Sequence, residues 1–177
     1  MKLRALLLSL LLVAFTSGCS TREIVVTLTR DELQQRISPR FPVIKSVLLV
    51  GVVLKEPTVL LPEGSNRVAI DMVIDVTIPL LGPLSGRIGA TGVPRYEANS
   101  REFFLDTPTI DRLDLPALKP EHGPKVRAAV EKIVQEALMR YPIYALKGRN
   151  LQEITAAFVL KRVVVHDGKL QATLAAP

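Results

Sequence analysis

Arg67-Val68-Ala69-Ile70-Asp71-Met72-Val73-Ile74-Asp75-Val76-Thr77-Ile78 decides the fold class. Val68, Ile70, Met72, Ile74, Val76 and Ile78 recur at every second position. Arg67, Asp71, Asp75 and Thr77 hold the alternates, with Ala69 and Val73 the exceptions. Successive strand side chains point to opposite faces, so this period of two makes one face dry and the other wet. Pro79 and Gly82-Pro83 end the segment. On its N-terminal side, Pro62-Glu63-Gly64-Ser65-Asn66 reads as a turn. Before that turn comes an apolar strand from Val47 to Leu54, continued over Thr58–Leu61 past Pro57. On the C-terminal side, Leu84–Glu97 is a strand punctuated by Gly86, Gly89 and Gly92. After the Ala98-Asn99-Ser100 turn, Glu102–Leu113 is another strand, and Pro108 within it marks an edge or a bulge. Short turns between neighbours imply an antiparallel meander.

Both flanks of this β region change character. Glu23–Leu28 is rich in β-branched residues and reads as a strand. Thr29-Arg30-Asp31-Glu32 is a capping box that starts a short helix, ended by Pro39. Farther on, Val126, Val130, Ile133, Val134, Ala137, Leu138 and Tyr141 fall at steps of three and four, one stripe of a long helix that begins near Pro124. A second short helix is expected over 151–158. Asp167-Gly168 between two alternating runs is a hairpin signal. The expectation is an α+β domain: a curved antiparallel sheet of about five to seven strands packed around one long amphipathic helix, with a short N-terminal helix and a C-terminal hairpin.

The first 18 residues read as an address. Lys2 and Arg4 precede an apolar run from Ala5 to Phe15, and small residues lead to Cys19. That run falls short of the roughly 20 residues a spanning helix needs. Removal of residues 1–18 leaves one domain, 19–177, and lowers the net charge from +6 to +4. Such a weak, scattered excess, with 5% aromatics, gives no platform for nucleic acid.

Little in the chain carries covalent chemistry. The single cysteine excludes a disulfide scaffold and a multi-cysteine metal site. Gly82, Gly86, Gly89 and Gly92 lack the Gly-Lys-Ser/Thr of a phosphate loop. His122 and His166 are a thin basis for zinc. Asp71 and Asp75 share a strand face about 13 Å apart, too far for a paired-carboxylate site. No Gly-x-Ser-x-Gly elbow is present. The chain is expected to be no enzyme, with no cofactor and no metal.

Phe15-Thr16-Ser17-Gly18-Cys19 resembles a bacterial lipoprotein processing site, with Thr16 where Leu, Val or Ile is usual. The resemblance implies that Cys19 is diacylated and becomes the new N-terminus, and Ser20 after it resembles an outer-membrane address facing the periplasm. Three stretches, with their order and spacing, resemble the YceB-like bacterial envelope lipoproteins. They are Thr29-Arg30-Asp31-Glu32-Leu33, Ala137-Leu138-Met139-Arg140-Tyr141-Pro142-Ile143-Tyr144-Ala145-Leu146, and Val163-Val164-Val165-His166-Asp167-Gly168-Lys169-Leu170. The likeness implies half of a tubular lipid-binding module similar to bactericidal permeability-increasing proteins, and it brings no catalytic residues.

The expected function is therefore to bind a lipid or other amphipathic ligand between sheet and long helix. Ile70, Met72, Ile74 and Val76 would face Val130, Val134 and Leu138, with Tyr141 and Tyr144 at the mouth. Small residues at Gly86, Ala90 and Gly92 would leave room, and Gly89→Trp would block uptake from within. The alternative is an adaptor that docks another envelope protein through a sheet edge.

Overall fold

The computed structural model describes residues 23–47, 49–79, 81–146 and 158–176. The alternating segment forms β4 (Val68–Ile78), and burial follows its period: Val68, Ile70, Met72, Ile74 and Val76 are at most 1% exposed. Each such side chain contributes about 1.5–3 kcal/mol over its exposed state. β4 pairs with β3 (Val50–Leu60) on one side and with β5 (Gly82–Glu97) on the other, both antiparallel. The meander continues from β2 (Val43–Val47) at one end to β6 (Glu102–Asp114) and the short β7 (Tyr144–Ala145) at the other.

A second sheet departs from the single-sheet expectation. β1 (Glu23–Thr29) and β8 (Val159–His166) flank β9 (Lys169–Ala175), giving nine strands in two antiparallel sheets among the described residues. The protein is α+β, with two α-helices among the described residues, one of them long. The second sheet exists because the two ends of the domain pair with each other, Glu23 opposite Ala175 through Thr29 opposite Lys169. Its β8–β9 turn has positive φ at both Asp167 and Gly168, 51° and 65°, the combination a type I′ hairpin requires.

The expected apolar strand from Val47 to Leu54 is also two elements. Val47 pairs with Val50, so the chain reverses between them without Gly, Asn or Pro to announce it. Past Lys55 the β3–β4 register slips at a bulge where Glu56 has φ 51°. The Gln34 side chain repairs it, accepting from Val59 N–H at 2.8 Å and donating to the Pro57 carbonyl at 2.6 Å. Pro108 sits buried in a second bulged stretch, beside Thr107 at φ 38°.

α1 (Arg30–Ile37) begins with the anticipated capping box: Glu32 N–H donates to Thr29 Oγ1 at 3.2 Å, and Thr29 N–H donates to Glu32 Oε2 at 2.8 Å. α2 (Gly123–Arg140) buries Val126, Val130, Ile133, Val134, Ala137 and Leu138 of the stripe read from spacing, and packs on β6, β2 and β3. Tyr141, its expected last member, lies in extended backbone just past the helix and is half-buried. The short helix expected over 151–158 lies outside the described residues except Phe158, which is buried and non-helical. No described helix is long and apolar enough to cross a membrane.

Candidate functional site

The expected groove residues are for the most part core. Met72, Ile74, Val76, Val130 and Val134 are fully buried, and Ile70 and Leu138 are nearly so, in one continuous apolar cluster. Between the C-terminal half of α2 and strands β2–β4 a cavity of about 20 Å³ remains, touching Ile70, Leu138 and Tyr141. That is room for about one water. Tyr144 is not at its mouth: it stands on β7, with the Arg36 guanidinium 6.0 Å from its ring centre. Burial pushes the Tyr144 hydroxyl pKa up.

Two of the small residues expected to leave room are filled by the chain itself. A Cβ at Gly92 would lie 3.0 Å from Leu105, and one at Gly86 would strike the Asp114 carbonyl. Gly89 needs a correction of face. It pairs with Asp71, and its Cβ would meet Asp71 Oδ1 at 2.8 Å, on the polar side where Arg112 reaches Asp71 at 3.0 Å. Gly89 is odd where Gly86, Ala90 and Gly92 are even, so it points away from the helix.

Ligand-sized space lies at the opposite end of the helix. Where β6 ends and α2 starts, an open cleft of about 460 Å³ is floored by Leu113, Leu115 and Leu118 and edged by Lys119, Pro120, Gly123, Pro124 and Arg127, with Asp114 the one acid in its lining. This falls within the roughly 300–1,000 Å³ common for small-molecule sites. Leu115 is buried, Leu113 and Leu118 are half-buried, and Lys119 is exposed. Arg127 holds Glu131 at 3.1 Å one turn along.

The helix start beside it has no side-chain cap from His122, Pro124 in its first turn and no acidic residue there. The Gly123 N–H is taken by the Pro120 carbonyl of the preceding turn and Pro124 has none, so it is the helix dipole that favours negative charge there. The cleft can hold an apolar tail against leucines and an anionic group at the rim. Sequence spacing did not point here, because Leu113, Leu115 and Leu118 belong to no periodic run. Lys119, Lys125 and Arg127 around the helix start were the available signal, with Glu121 among them.

Other polar groups have structural partners. Asp75 is held by Lys55 at 2.6 Å and Ser85 at 2.8 Å, which together keep its carboxyl below the usual range. Arg67 donates to Thr91 Oγ1 and Thr109 Oγ1, both at 2.9 Å. No cluster of three His, Cys, Asp or Glu occurs among the described residues.

A family model described as protein of unknown function (DUF1439) matches residues 28–169. The chain belongs to that family. The matched span runs from the end of β1 to the start of β9, so the DUF1439 unit includes both helices, the whole larger sheet and the cleft. No curated protein matches the chain.

Proposed function

We propose that this DUF1439 protein is a non-enzymatic lipoprotein of the bacterial outer membrane, anchored through acylated Cys19 and facing the periplasm. It binds an amphipathic ligand with an anionic group between sheet and long helix. One observation carries the ligand reading: the cleft at the start of α2 joins a leucine floor to the basic Lys119 and Arg127 at the positive end of the helix dipole, in a volume that accepts a small lipid. The signal-like run ending at the chain's single cysteine supports the anchor.

A sheet curled round the helix, as in the YceB-like and bactericidal permeability-increasing modules, is supported by the neighbours of α2. It packs on β2 and β3 and also on β6. In a flat sheet β2 and β6 would stand about 19 Å apart, wider than a helix of roughly 10–12 Å.

Gly123→Trp tests the ligand site. A Cβ at Gly123 meets nothing within 4 Å, so the bulk enters the cleft without striking the core. Lipid uptake, measured by native mass spectrometry, falls in this variant while the unfolding midpoint stays near that of the parent. Equal uptake removes the cleft from the account.

The adaptor reading draws on a different observation. β2 is the open edge of the larger sheet, and Ile44 on it and Leu49 just after it are 71% and 74% exposed. Strand addition at this edge predicts that Lys45→Pro abolishes capture of an envelope protein by crosslinking.

A further inference from the structure

We propose that one corner of the smaller sheet lies against the headgroups of an anionic bilayer, a reading that rests on the Cys19 anchor. Four residue steps separate Cys19 from Glu23, where β1 begins, so the chain can extend at most about 14 Å between them. Whatever surface surrounds Glu23 is thus held at the membrane. β1 register identifies that surface. Glu23 and Val159 flank Ala175 on one rung of the sheet, Ala175 itself being buried, and Val25, Thr173 and Arg162 stand two residues further along β1 on the same face.

This corner has the composition an interface binder needs. Val25 and Val159 are 57% and 43% exposed, among the exposed large apolar side chains of the described residues. Lys161 and Arg162 are exposed beside them, and Glu23 is the one acid in the described residues of β1, β8 and β9. Shallow apolar contact together with basic residues favours an anionic lipid surface, and each basic residue contributes roughly fivefold in partitioning. The opposite end of this sheet is exposed and tied to the turn before β4: Glu63 Oε1 accepts from Asp167 N–H at 3.2 Å and Glu63 Oε2 from Gly168 N–H at 3.3 Å. The sheet therefore stands with its start at the bilayer and its hairpin about 20 Å away, six residue steps along β9.

The test uses the full chain purified from bacterial membranes and returned to vesicles of phosphatidylethanolamine and phosphatidylglycerol. Acylation caps the only native cysteine, so Val159→Cys or Lys169→Cys supplies one labelling site each, at near and far ends of the sheet. A headgroup-attached quencher is expected to quench the label at 159 several-fold more than the label at 169. Adding Lys161→Glu and Arg162→Glu should remove most of that difference. Equal quenching at both positions, or a difference indifferent to the charge reversal, overturns the docking while leaving the anchor standing. The mass of the N-terminal peptide reads the anchor separately: an unacylated Cys19 removes both.

Discussion

Gly86 lies directly beneath the backbone carbonyl of Asp114, so close that a Cβ at residue 86 would strike that oxygen and come within 3.0 Å of Leu115. The missing side chain lets the chain leave β6 across the inner face of β5. That crossing sets Leu115 into the floor of the cleft. A strand glycine here fixes the geometry of the site.

Gly86→Ala is expected to cost about 1–3 kcal/mol through overpacking against backbone that has nowhere to move. Gly51→Ala, whose Cβ would meet Thr77 at an ordinary 3.7 Å, should be neutral or slightly stabilising. Urea midpoints of the two variants separate a forced glycine from a tolerated one. Similar midpoints would mean that the Asp114 crossing is not rigid.

Gln34→Leu keeps the side chain's volume and removes both bridges to the β3 bulge, to Pro57 and Val59. Leaving these half-buried backbone groups unpaired should cost about 1–3 kcal/mol. Amide exchange at Val59 should accelerate by an order of magnitude or more. Unchanged protection there would show that the bulge holds itself.

Elements with a local signal were readable in the sequence. The 67–78 alternation, the Thr29–Glu32 capping box, the stripe on the long helix and the Asp167-Gly168 hairpin all form as spaced. What escaped was set by distant pairing. Residues 23–29 meet residues 169–175 across the length of the domain, and no local pattern announces that partnership. Leu49 sits in a reversal with no turn residue beside it, so β2 and β3 read as one strand. Small inward residues looked like vacant space because the segments that fill them, Leu105 and Asp114–Leu115, arrive from elsewhere in the chain. The cleft itself is bounded by the end of one element and the start of another, where periodicity has nothing to say.

Acid should loosen the clasp between the two sheets. Glu63 is held below its usual 4.5, first by the Gly168 N–H, then by His166 and the Asp167 N–H. A carboxylate with a lowered folded pKa adds stability above its unfolded value, and that stability is lost as pH falls through the folded one. The β8–β9 hairpin should therefore lose amide protection, taken relative to the intrinsic rate at each pH, as pH drops below about 4.5, in the usual range for Glu. Glu63→Gln should show the lower protection already at pH 7 and little further change on acidification. A hairpin equally protected in both proteins across that range would contradict the clasp.

Tyr96 carries a buried hydroxyl with no hydrogen-bond partner among the described residues, its ring 5.1 Å from Phe103. Burial accordingly pushes its pKa up. Tyr96→Phe removes the unpaired group and keeps the ring contact, so it should be neutral or stabilising by up to about 1 kcal/mol. A clear loss in thermal midpoint would show that the hydroxyl is used.

The most direct measurement is native mass spectrometry of the Cys19→Ser chain, which lacks the anchor, offered phosphatidylglycerol and free fatty acid. The account predicts a one-to-one adduct in the parent, lost on denaturation, weakened by Lys119→Glu with Arg127→Glu, and absent in Gly123→Trp. An unliganded mass at every lipid concentration, or an adduct indifferent to all three substitutions, would contradict a ligand site at the start of the long helix.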